Sequence, residues 1–244
     1  MDVTANRVLA QKDIDRQVEP ASLTKLMTVY LVFDAIKRHR LSLTQTLPVS
    51  RRAWRMTGSR MFINPKMKVP VEDLIKGLIV QSGNDAAVAL AEGLDGTVEA
   101  FVKRMNDQAL KLGMKNTHFE SPDGLPMPGH VTTARDLSIL SKRLLNDFPT
   151  RVGYFGIRKY HYAGTPPSNE TNRNALLFQD KTVDGFKTGY TDAAGYCIVA
   201  SAMRPSGRGR EPHRLIVVVL GAPSKAERID EAQALLDWGY DQAS

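Results

Sequence analysis

Several features common in proteins are scarce or missing in this sequence, and each absence excludes a class of structure. The chain has one cysteine, Cys197, so an internal disulfide and a thiolate metal cluster are both excluded, and Cys197 is predicted to be a small core residue. No apolar run approaches the roughly 18 to 20 residues that a membrane-spanning helix needs. The five histidines show neither the His-x-x-x-His spacing of a zinc helix nor any close pairing. We therefore predict no bound metal and no cofactor.

The beginning of the chain shows no secretion signal. Met1 is followed at once by acidic and polar residues, and no positively charged segment precedes an apolar stretch. Two interpretations remain, namely a cytoplasmic protein or a mature fragment to which a starting methionine was added.

The charge balance is basic, with a net charge of +7 and a pI near 9.5. This favours anionic surroundings such as nucleic acid, phospholipid or an acidic polymer. Nucleic acid is the poorer choice, because the basic residues near 51–55 and 204–214 lack interleaved aromatics and any known binding motif. They are predicted to be solvated loops, and no nucleic-acid partner is expected.

Hydrophobic periodicity and turn signals predict the organisation of the 244 residues, 42% of which are hydrophobic. Helices are predicted at about 22–39, 71–80, 85–94, 97–112, 133–146 and 225–239. The first helix is apolar over most of its circumference, which indicates deep burial. Residues 2–11 look strand-like with a turn, and strands are predicted at about 158–163, 184–187, 197–203 and 215–221. An exposed hairpin loop is expected at 204–212.

These elements predict a single domain over residues 1–244 of the α/β (α+β) class. The strands lie late in the sequence, and the last helix is expected to pack on the sheet that they form. The sheet layer would come from about residues 1–44 and 158–244, and the mostly helical region of about 45–157 would be inserted into it.

Three short motifs occur in one order along the chain. They are Ser22-Leu23-Thr24-Lys25, then Ser82-Gly83-Asn84, then Lys187-Thr188-Gly189. An S-x-x-K is expected about once by chance in a chain of this length, whereas K-T-G is expected in only about one such chain in twenty. The ordered set is the arrangement of the serine penicillin-binding proteins and β-lactamases.

Longer segments extend the resemblance over nearly the whole chain. Residues 19–28 (EPASLTKLMT), 81–87 (QSGNDAA) and 112–119 (LGMKNTHF) resemble the low-molecular-mass D-alanyl-D-alanine carboxypeptidases. The resemblance implies a β-lactamase/transpeptidase-like fold, an antiparallel sheet flanked by helices with an inserted helical region and a groove between. It also implies a serine D,D-carboxypeptidase that removes the terminal D-Ala of peptidoglycan stem pentapeptides through an acyl-enzyme on Ser22, with β-lactams as covalent inhibitors.

The chain departs from that family at both ends, since no export signal, second β-rich domain or C-terminal amphipathic anchor is recognised. It is interpreted as an excised catalytic domain. The resemblance places it in the periplasm, at the outer face of the cytoplasmic membrane, and membrane contact is expected only through segments absent from this chain.

The residues themselves also indicate the chemistry. Ser22 and Lys25 are three apart at a helix start, so they share a face and the amine can reach the hydroxyl. A serine needs a base to become a good nucleophile, and no histidine lies near a motif. Lys25 is the candidate, provided that burial and a second cation lower its pKa from about 10.4. The resemblance supplies Lys187 as that cation. The alternative, a solvated helical Lys25, is disfavoured beside the other motifs.

The second motif lies between two predicted helices. By resemblance, Ser82 relays a proton between Lys25 and the leaving amine, and Asn84 hydrogen-bonds the substrate backbone and orients Lys25. Helix capping is the alternative for a Ser-Gly-Asn segment, and it is compatible with catalysis.

The third motif is expected to face the groove from a strand. Lys187 and Thr188 would offer a cation and a hydroxyl to the substrate carboxylate, and Gly189 would allow close approach. By resemblance, the backbone N–H groups of Ser22 and Tyr190 form the oxyanion hole. Arg173 either adds positive charge for the carboxylate or forms a structural salt bridge.

Two other activities remain within the superfamily, a D,D-endopeptidase that cuts cross-links and a β-lactamase. No Glu-x-x-Leu-Asn segment lies between the second and third motifs to activate a deacylating water, so a penicilloyl-enzyme should persist. The chain is therefore predicted to be a target of penicillin. A non-catalytic wall-binding module is disfavoured because every motif residue is intact.

Overall fold

The computed structural model describes residues 1–206 and 210–243 of the chain. Its helices are α1 (Lys25–Lys37), α2 (Arg51–Trp54), α3 (Val71–Val80), α4 (Asn84–Asp95), α5 (Val98–Leu112), α6 (Ala134–Asp147), α7 (Leu176–Gln179) and α8 (Lys225–Ala243). Its strands are β1 (Thr46–Pro48), β2 (Lys68–Pro70), β3 (Val183–Thr191), β4 (Gly195–Ser206) and β5 (Arg210–Ala222). Short 3-10 segments occupy Ala21–Thr24, Pro149–Gly156 and Pro167–Asn169.

Local capping explains why the helix bounds lie close to those predicted. Thr97 caps α5 by accepting a hydrogen bond from the backbone N–H of Ala100, and Gly113 ends that helix in the left-handed conformation. Thr133 caps α6 by accepting from the N–H of Asp136. Two bounds differ from the prediction by three residues or more. Residues 21–24 form a 3-10 turn before α1, and α8 continues to Ala243.

Helix α1 lies at the centre of the molecule, as its apolar circumference predicts. Every residue from Lys25 to Phe33 is buried. The aromatic ring of Phe33 packs against those of Phe148, Tyr154 and Phe155. The buried position of this helix fixes the 3-10 turn at its start against the sheet.

Strands β3, β4 and β5 form an antiparallel sheet in that order, with Gly189 opposite Cys197 and Ser201 opposite Ile216. One face of the sheet packs on α8 through an apolar cluster that includes Ile229, Ala232 and Leu236. The other face packs on the core around α1. The predicted antiparallel sheet between helices is therefore confirmed, and Cys197 is a buried core residue.

Other expectations about strands need correction. The predicted strand at 158–163 is wrong, because this segment forms only an isolated bridge between Lys159 and Thr171. Its Tyr160 carbonyl accepts instead from the Gln81 side chain, and its Tyr160 hydroxyl donates to Asp73 on α3. The segment is therefore held by side chains of the helical region rather than by a ladder.

The N-terminal segment and the hairpin also differ from expectation. Residues 2–11 contain a turn closed by the bridge between Asp2 and Arg7, and only residues 1–3 run beside β5. Strands β4 and β5 are longer than predicted. The tip of the expected loop at 204–212, residues 207–209, lies outside the described residues.

Within the described parts of the chain, none of the helices has the length and apolarity needed to cross a membrane.

Candidate active site

The 3-10 turn Ala21–Thr24, here called the reactive turn, is packed unusually tightly. Ala21 lies in the left-handed region at φ 48°, a strained conformation for a residue other than glycine. A Cβ on Gly124 would lie 1.8 Å from the Ala21 carbonyl oxygen, and one on Gly189 would lie 3.1 Å from the Ser22 backbone nitrogen. Both glycines therefore allow neighbouring backbone to approach this turn. Ser22 itself is only partly buried.

The Lys25 amine lies at the centre of the site. It donates to the Ser22 Oγ at 2.9 Å, to the Asn84 Oδ1 at 2.7 Å and to the Asp123 carbonyl oxygen at 2.6 Å. Its side chain is 1% exposed. Burial lowers the pKa of Lys25 to about 8, while the charges of Asp123 and Asp85 oppose that shift. The amine is therefore close to the serine hydroxyl and much less basic than a solvated lysine.

Lys187 and Ser82 form a second pair in the same pocket. The Lys187 amine donates to the Ser82 Oγ at 2.9 Å and to the Thr188 carbonyl oxygen at 3.1 Å. Burial lowers the pKa of Lys187 well below its ordinary value, and the neighbouring charge of Lys25 lowers it further. The charge of Lys25 thus acts on Lys187, whereas the cation that lowers the pKa of Lys25 is Arg173 rather than the expected Lys187. Ser82 holds a left-handed φ of 59° between α3 and α4.

Asn84 begins helix α4, and both the oxygen and the nitrogen of its side-chain amide form hydrogen bonds. Its Oδ1 accepts from Lys25, and its Nδ2 donates to the Thr57 carbonyl oxygen at 2.7 Å. The N-cap position is held by Gly83, without any side-chain cap. Capping therefore does not account for Ser82 and Asn84, whose side chains point to the two lysines.

The end of β3 borders the reactive turn. Thr188 is buried, whereas Tyr190 is 49% exposed, so the strand passes from the interior to the surface within three residues. The Tyr190 ring stacks on that of Tyr196 at 4.3 Å, and its hydroxyl donates to Asp192. That hydrogen bond is the main cause that raises the pKa of Tyr190 to about 12. The Tyr190 side chain is therefore engaged with Tyr196 and Asp192, and it makes no hydrogen bond to either lysine among the described residues.

Arg173 lies at the edge of the same site and makes no salt bridge within the described residues. Its guanidinium donates to the Asn169 Oδ1 at 2.7 Å and to the Gln81 carbonyl oxygen at 3.4 Å. Its charge lowers the pKa values of Lys25 and Lys187. The described residues thus show no salt bridge of the kind considered as an alternative, and the role of Arg173 in binding a carboxylate stays a prediction.

Three further contributors to this site lie outside the three motifs and were not predicted. The Asp123 carbonyl oxygen accepts from Lys25, and the buried Asp85 carboxylate lies beside Asn84. Arg228 on α8 is 6% exposed, contacts the Cys197 carbonyl oxygen at 3.5 Å and lowers the pKa of Lys187. The Ser-Pro-Asp-Gly turn at 121–124 was a signal for the first of these. Nothing local in the sequence indicates that Arg228 reaches the sheet.

This arrangement suits nucleophilic catalysis by a serine. A hydroxyl lies 2.9 Å from an amine whose pKa is about 8, and further positive groups surround the pair. Residues 1–206 and 210–243 contain no group of three histidine, cysteine or acidic side chains that could hold a metal ion.

Comparisons with known proteins agree with this geometry. The D-alanyl-D-alanine carboxypeptidase family, peptidase family S11, matches residues 1–224. The curated D-alanyl-D-alanine carboxypeptidase DacC of Escherichia coli is 42% identical over 98% of this chain. The chain spans 60% of the length of that relative.

Solved structures of penicillin-binding proteins are also similar to this chain. Penicillin-binding protein 5 of Haemophilus influenzae is 38% identical and superposes with a TM-score of 0.92 over 99% of this chain and 69% of its own. Penicillin-binding protein D2 of Listeria monocytogenes, solved in an ampicillin-bound form, is 32% identical with a TM-score of 0.84 over 98% of this chain and 94% of its own. The chain belongs to the D-alanyl-D-alanine carboxypeptidase family.

Proposed function

We propose that this chain is the catalytic domain of a serine D,D-carboxypeptidase that removes the terminal D-Ala of peptidoglycan stem pentapeptides. The observation that carries the proposal is the contact of 2.9 Å between the buried Lys25 amine and the Ser22 Oγ, in a chain of this family. Lys25, in its neutral form, accepts the Ser22 hydroxyl proton. The Ser22 oxygen then attacks the carbonyl carbon of the penultimate D-Ala.

The oxyanion of the tetrahedral intermediate is held by the backbone N–H groups of Ser22 and Tyr190. The close approach of Gly189 to the Ser22 nitrogen supports this assignment, because it brings the end of β3 to the reactive turn. Collapse of the intermediate breaks the peptide bond. We assign Ser82 as the relay that passes the proton from Lys25 to the leaving D-Ala amine. The Ser82 hydroxyl accepts from the Lys187 amine at 2.9 Å, and the described residues show no hydrogen bond between Ser82 and Lys25. Water then hydrolyses the ester on Ser22.

Positive charge in the pocket makes the enzyme specific for the free C-terminal end of the substrate peptide. Thr188 and Arg173 bind the free carboxylate of the terminal D-Ala, and Lys187 supports them from the buried side of the pocket. Arg228 has no carboxylate partner in the described part of the chain, and its charge adds to the positive potential of the pocket. Asn84 holds the substrate backbone and keeps Lys25 directed at Ser22.

A β-lactam would acylate the same serine, because it presents a strained amide and a carboxylate in comparable positions. The missing Glu-x-x-Leu-Asn segment favours a persistent acyl-enzyme over β-lactamase activity. A D,D-endopeptidase acting on cross-links is the second candidate, and release of D-alanine from a small pentapeptide distinguishes the two.

We further propose that residues 1–244 form one catalytic domain, with the sheet layer from about 1–44 and 158–244 and the helical region from about 45–157. Its place of action would be the periplasm, at the outer face of the cytoplasmic membrane, where the proposed substrate is found. Contact with the membrane would come from segments outside this chain.

Labelling with a fluorescent penicillin, followed by intact-mass measurement, tests the proposal. Wild type should gain one penicilloyl group per chain, and Ser22→Ala should gain none. An unlabelled wild type, or equal labelling of the two proteins, would refute the assignment.

A further inference from the structure

Asp85 is a buried carboxylate beside the catalytic groups, and it takes no direct part in the proposed acyl transfer. It directly follows Asn84 on α4 and is 1% exposed. Its Oδ1 accepts from the backbone N–H groups of Met61 and Ala86, each at 2.9 Å. Its Oδ2 accepts from those of Phe62 at 2.8 Å and Ile63 at 3.2 Å. Four N–H donors, and no cation in an ion pair, therefore surround this carboxylate in the described residues.

Three of those donors are consecutive and belong to one loop. The backbone of residues 61–63 turns its N–H groups to the same side because Phe62 has a left-handed φ of 68°. Successive N–H groups arranged in this way form a concave anion site. Phenylalanine is strained at such a φ, so the conformation needs a partner that stabilises it. The Asp85 carboxylate supplies that partner from within the protein.

The same loop holds Asn84. The Thr57 carbonyl oxygen accepts from the Asn84 Nδ2 at 2.7 Å, and the Ser59 carbonyl oxygen accepts from the Asn84 backbone N–H at 2.7 Å. Residues 57–63, here called the clamp loop, are thus tied to α4 at both Asn84 and Asp85. Because the Asn84 Oδ1 accepts from Lys25 at 2.7 Å, a displacement of the clamp loop is transmitted to the Lys25 amine.

Asp85 also acts on Lys25 through its charge. The charged groups that influence Lys25 are Asp123 and Asp85, which favour its ammonium form, and Arg173, which disfavours it. The charge of Lys25 in turn lowers the pKa of Lys187 on β3. Loss of the negative charge at position 85 should therefore lower the pKa of Lys25 further. A substitution that displaces the anchor but keeps its charge therefore separates the two roles.

We propose that Asp85 is a positioning residue for acylation: it anchors the clamp loop, and through Asn84 it directs the Lys25 amine at the Ser22 hydroxyl. This inference rests on the proposed function of Ser22. Asp85 itself contacts no reacting atom, and its effect passes through the clamp loop and then through the hydrogen bonds of Asn84 with Thr57 and Lys25.

The test is the pH dependence of acylation by a fluorescent penicillin in wild type, Asp85→Asn, Asp85→Glu and Asp136→Asn. Asn keeps the size of the side chain but removes the charge and turns an N–H₂ group toward N–H donors. Glu keeps the charge but displaces it. Asp136 is the matched control, because it is also 1% exposed and also holds a loop, through the Asn116 N–H and the Thr117 hydroxyl.

Asp85→Asn should acylate about tenfold to a hundredfold more slowly, as expected when a reacting group is misplaced by about an ångström. The pH at which its acylation rate is half-maximal should move to a lower value, because the pKa of Lys25 falls when the negative charge of Asp85 is removed. Asp85→Glu should be slower with an unchanged midpoint. Asp136→Asn should lose stability but keep the wild-type rate and midpoint.

Three results would overturn the inference. They are a wild-type rate and midpoint in Asp85→Asn, a loss in Asp136→Asn equal to that in Asp85→Asn, and a wild-type rate in Asp85→Glu. If Asp85→Asn fails to fold, the acylation rate of Asp85→Glu alone tests the inference. A wild type that is not labelled at Ser22 instead refutes the proposed function and removes the basis of this inference with it.

Discussion

Replacing Gly124 by alanine tests whether the reactive turn needs the close backbone contact seen here. Gly124 has a φ of 91°, and an added Cβ would lie 1.8 Å from the Ala21 carbonyl oxygen and 2.9 Å from the Thr24 Oγ1. The two nearest atoms belong to the Ala21 backbone, which cannot rotate away as the end of a flexible side chain can. Either the turn that carries Ser22 or the loop that carries the Asp123 carbonyl has to move.

Gly113 offers a matched control, because it has a similar φ of 85° and nothing within 4 Å of an added Cβ. Gly113→Ala should therefore lose only the conformational term, about 1 to 2 kcal/mol. Gly124→Ala should lose that amount and a further 1 to 3 kcal/mol, roughly, from overpacking. For a chain of this size, each kcal/mol corresponds to about 2 to 4 °C in Tm.

Chemical denaturation measures the free energy of unfolding, and fluorescent-penicillin labelling measures the acylation rate. Gly113→Ala should acylate like wild type, while Gly124→Ala should acylate at least tenfold more slowly, since about 1.4 kcal/mol of lost transition-state stabilisation has that effect. Equal stability and equal rates in the two variants would refute the reasoning, because the clash at the reactive turn would then have no consequence.

Two further predictions follow from titrating groups. Because Lys25 has to be neutral to accept the Ser22 proton and its pKa is about 8, the acylation rate should rise with pH through about 8. Lys25→Ala should remove this rise with pH and lower the acylation rate by a factor of about 10² to 10⁴. A wild-type acylation rate that does not depend on pH would contradict the assignment of Lys25 as the base. Burial lowers the pKa of His130 to about 4, below its unfolded value near 6.5. Stability that is fully present above about pH 6.5 should therefore be lost as the pH falls to about 4, by about 3 kcal/mol, and His130→Gln should reduce that loss in denaturation experiments. The same pH dependence in both proteins would show that another group is responsible.

The local features of the fold could be predicted from the sequence because they depend on neighbouring residues. The capping threonines Thr97 and Thr133 and the terminal Gly113 define α5 and α6 through contacts within four residues. The pairing of Ser22 with Lys25 is local in the same sense, since three positions along a helical turn bring two side chains together. The failed strand at 158–163 shows the limit of such patterns. Its alternating tyrosines match a strand, but its partners are helical side chains distant in sequence.

The order of the three motifs and their spacing were determined by the sequence alone, and with them the family resemblance and the identity of the candidate nucleophile and base. Only the tertiary structure decided how basic Lys25 is, because a pKa near 8 depends on burial and on charges brought from distant segments. It also decided which groups complete the site. Lys25 meets the Asp123 carbonyl across 98 positions, and Lys187 meets Ser82 across 105. The clamp around Asp85 and the approach of Arg228 arise in the same way, since contacts of that kind form only when separate elements pack together.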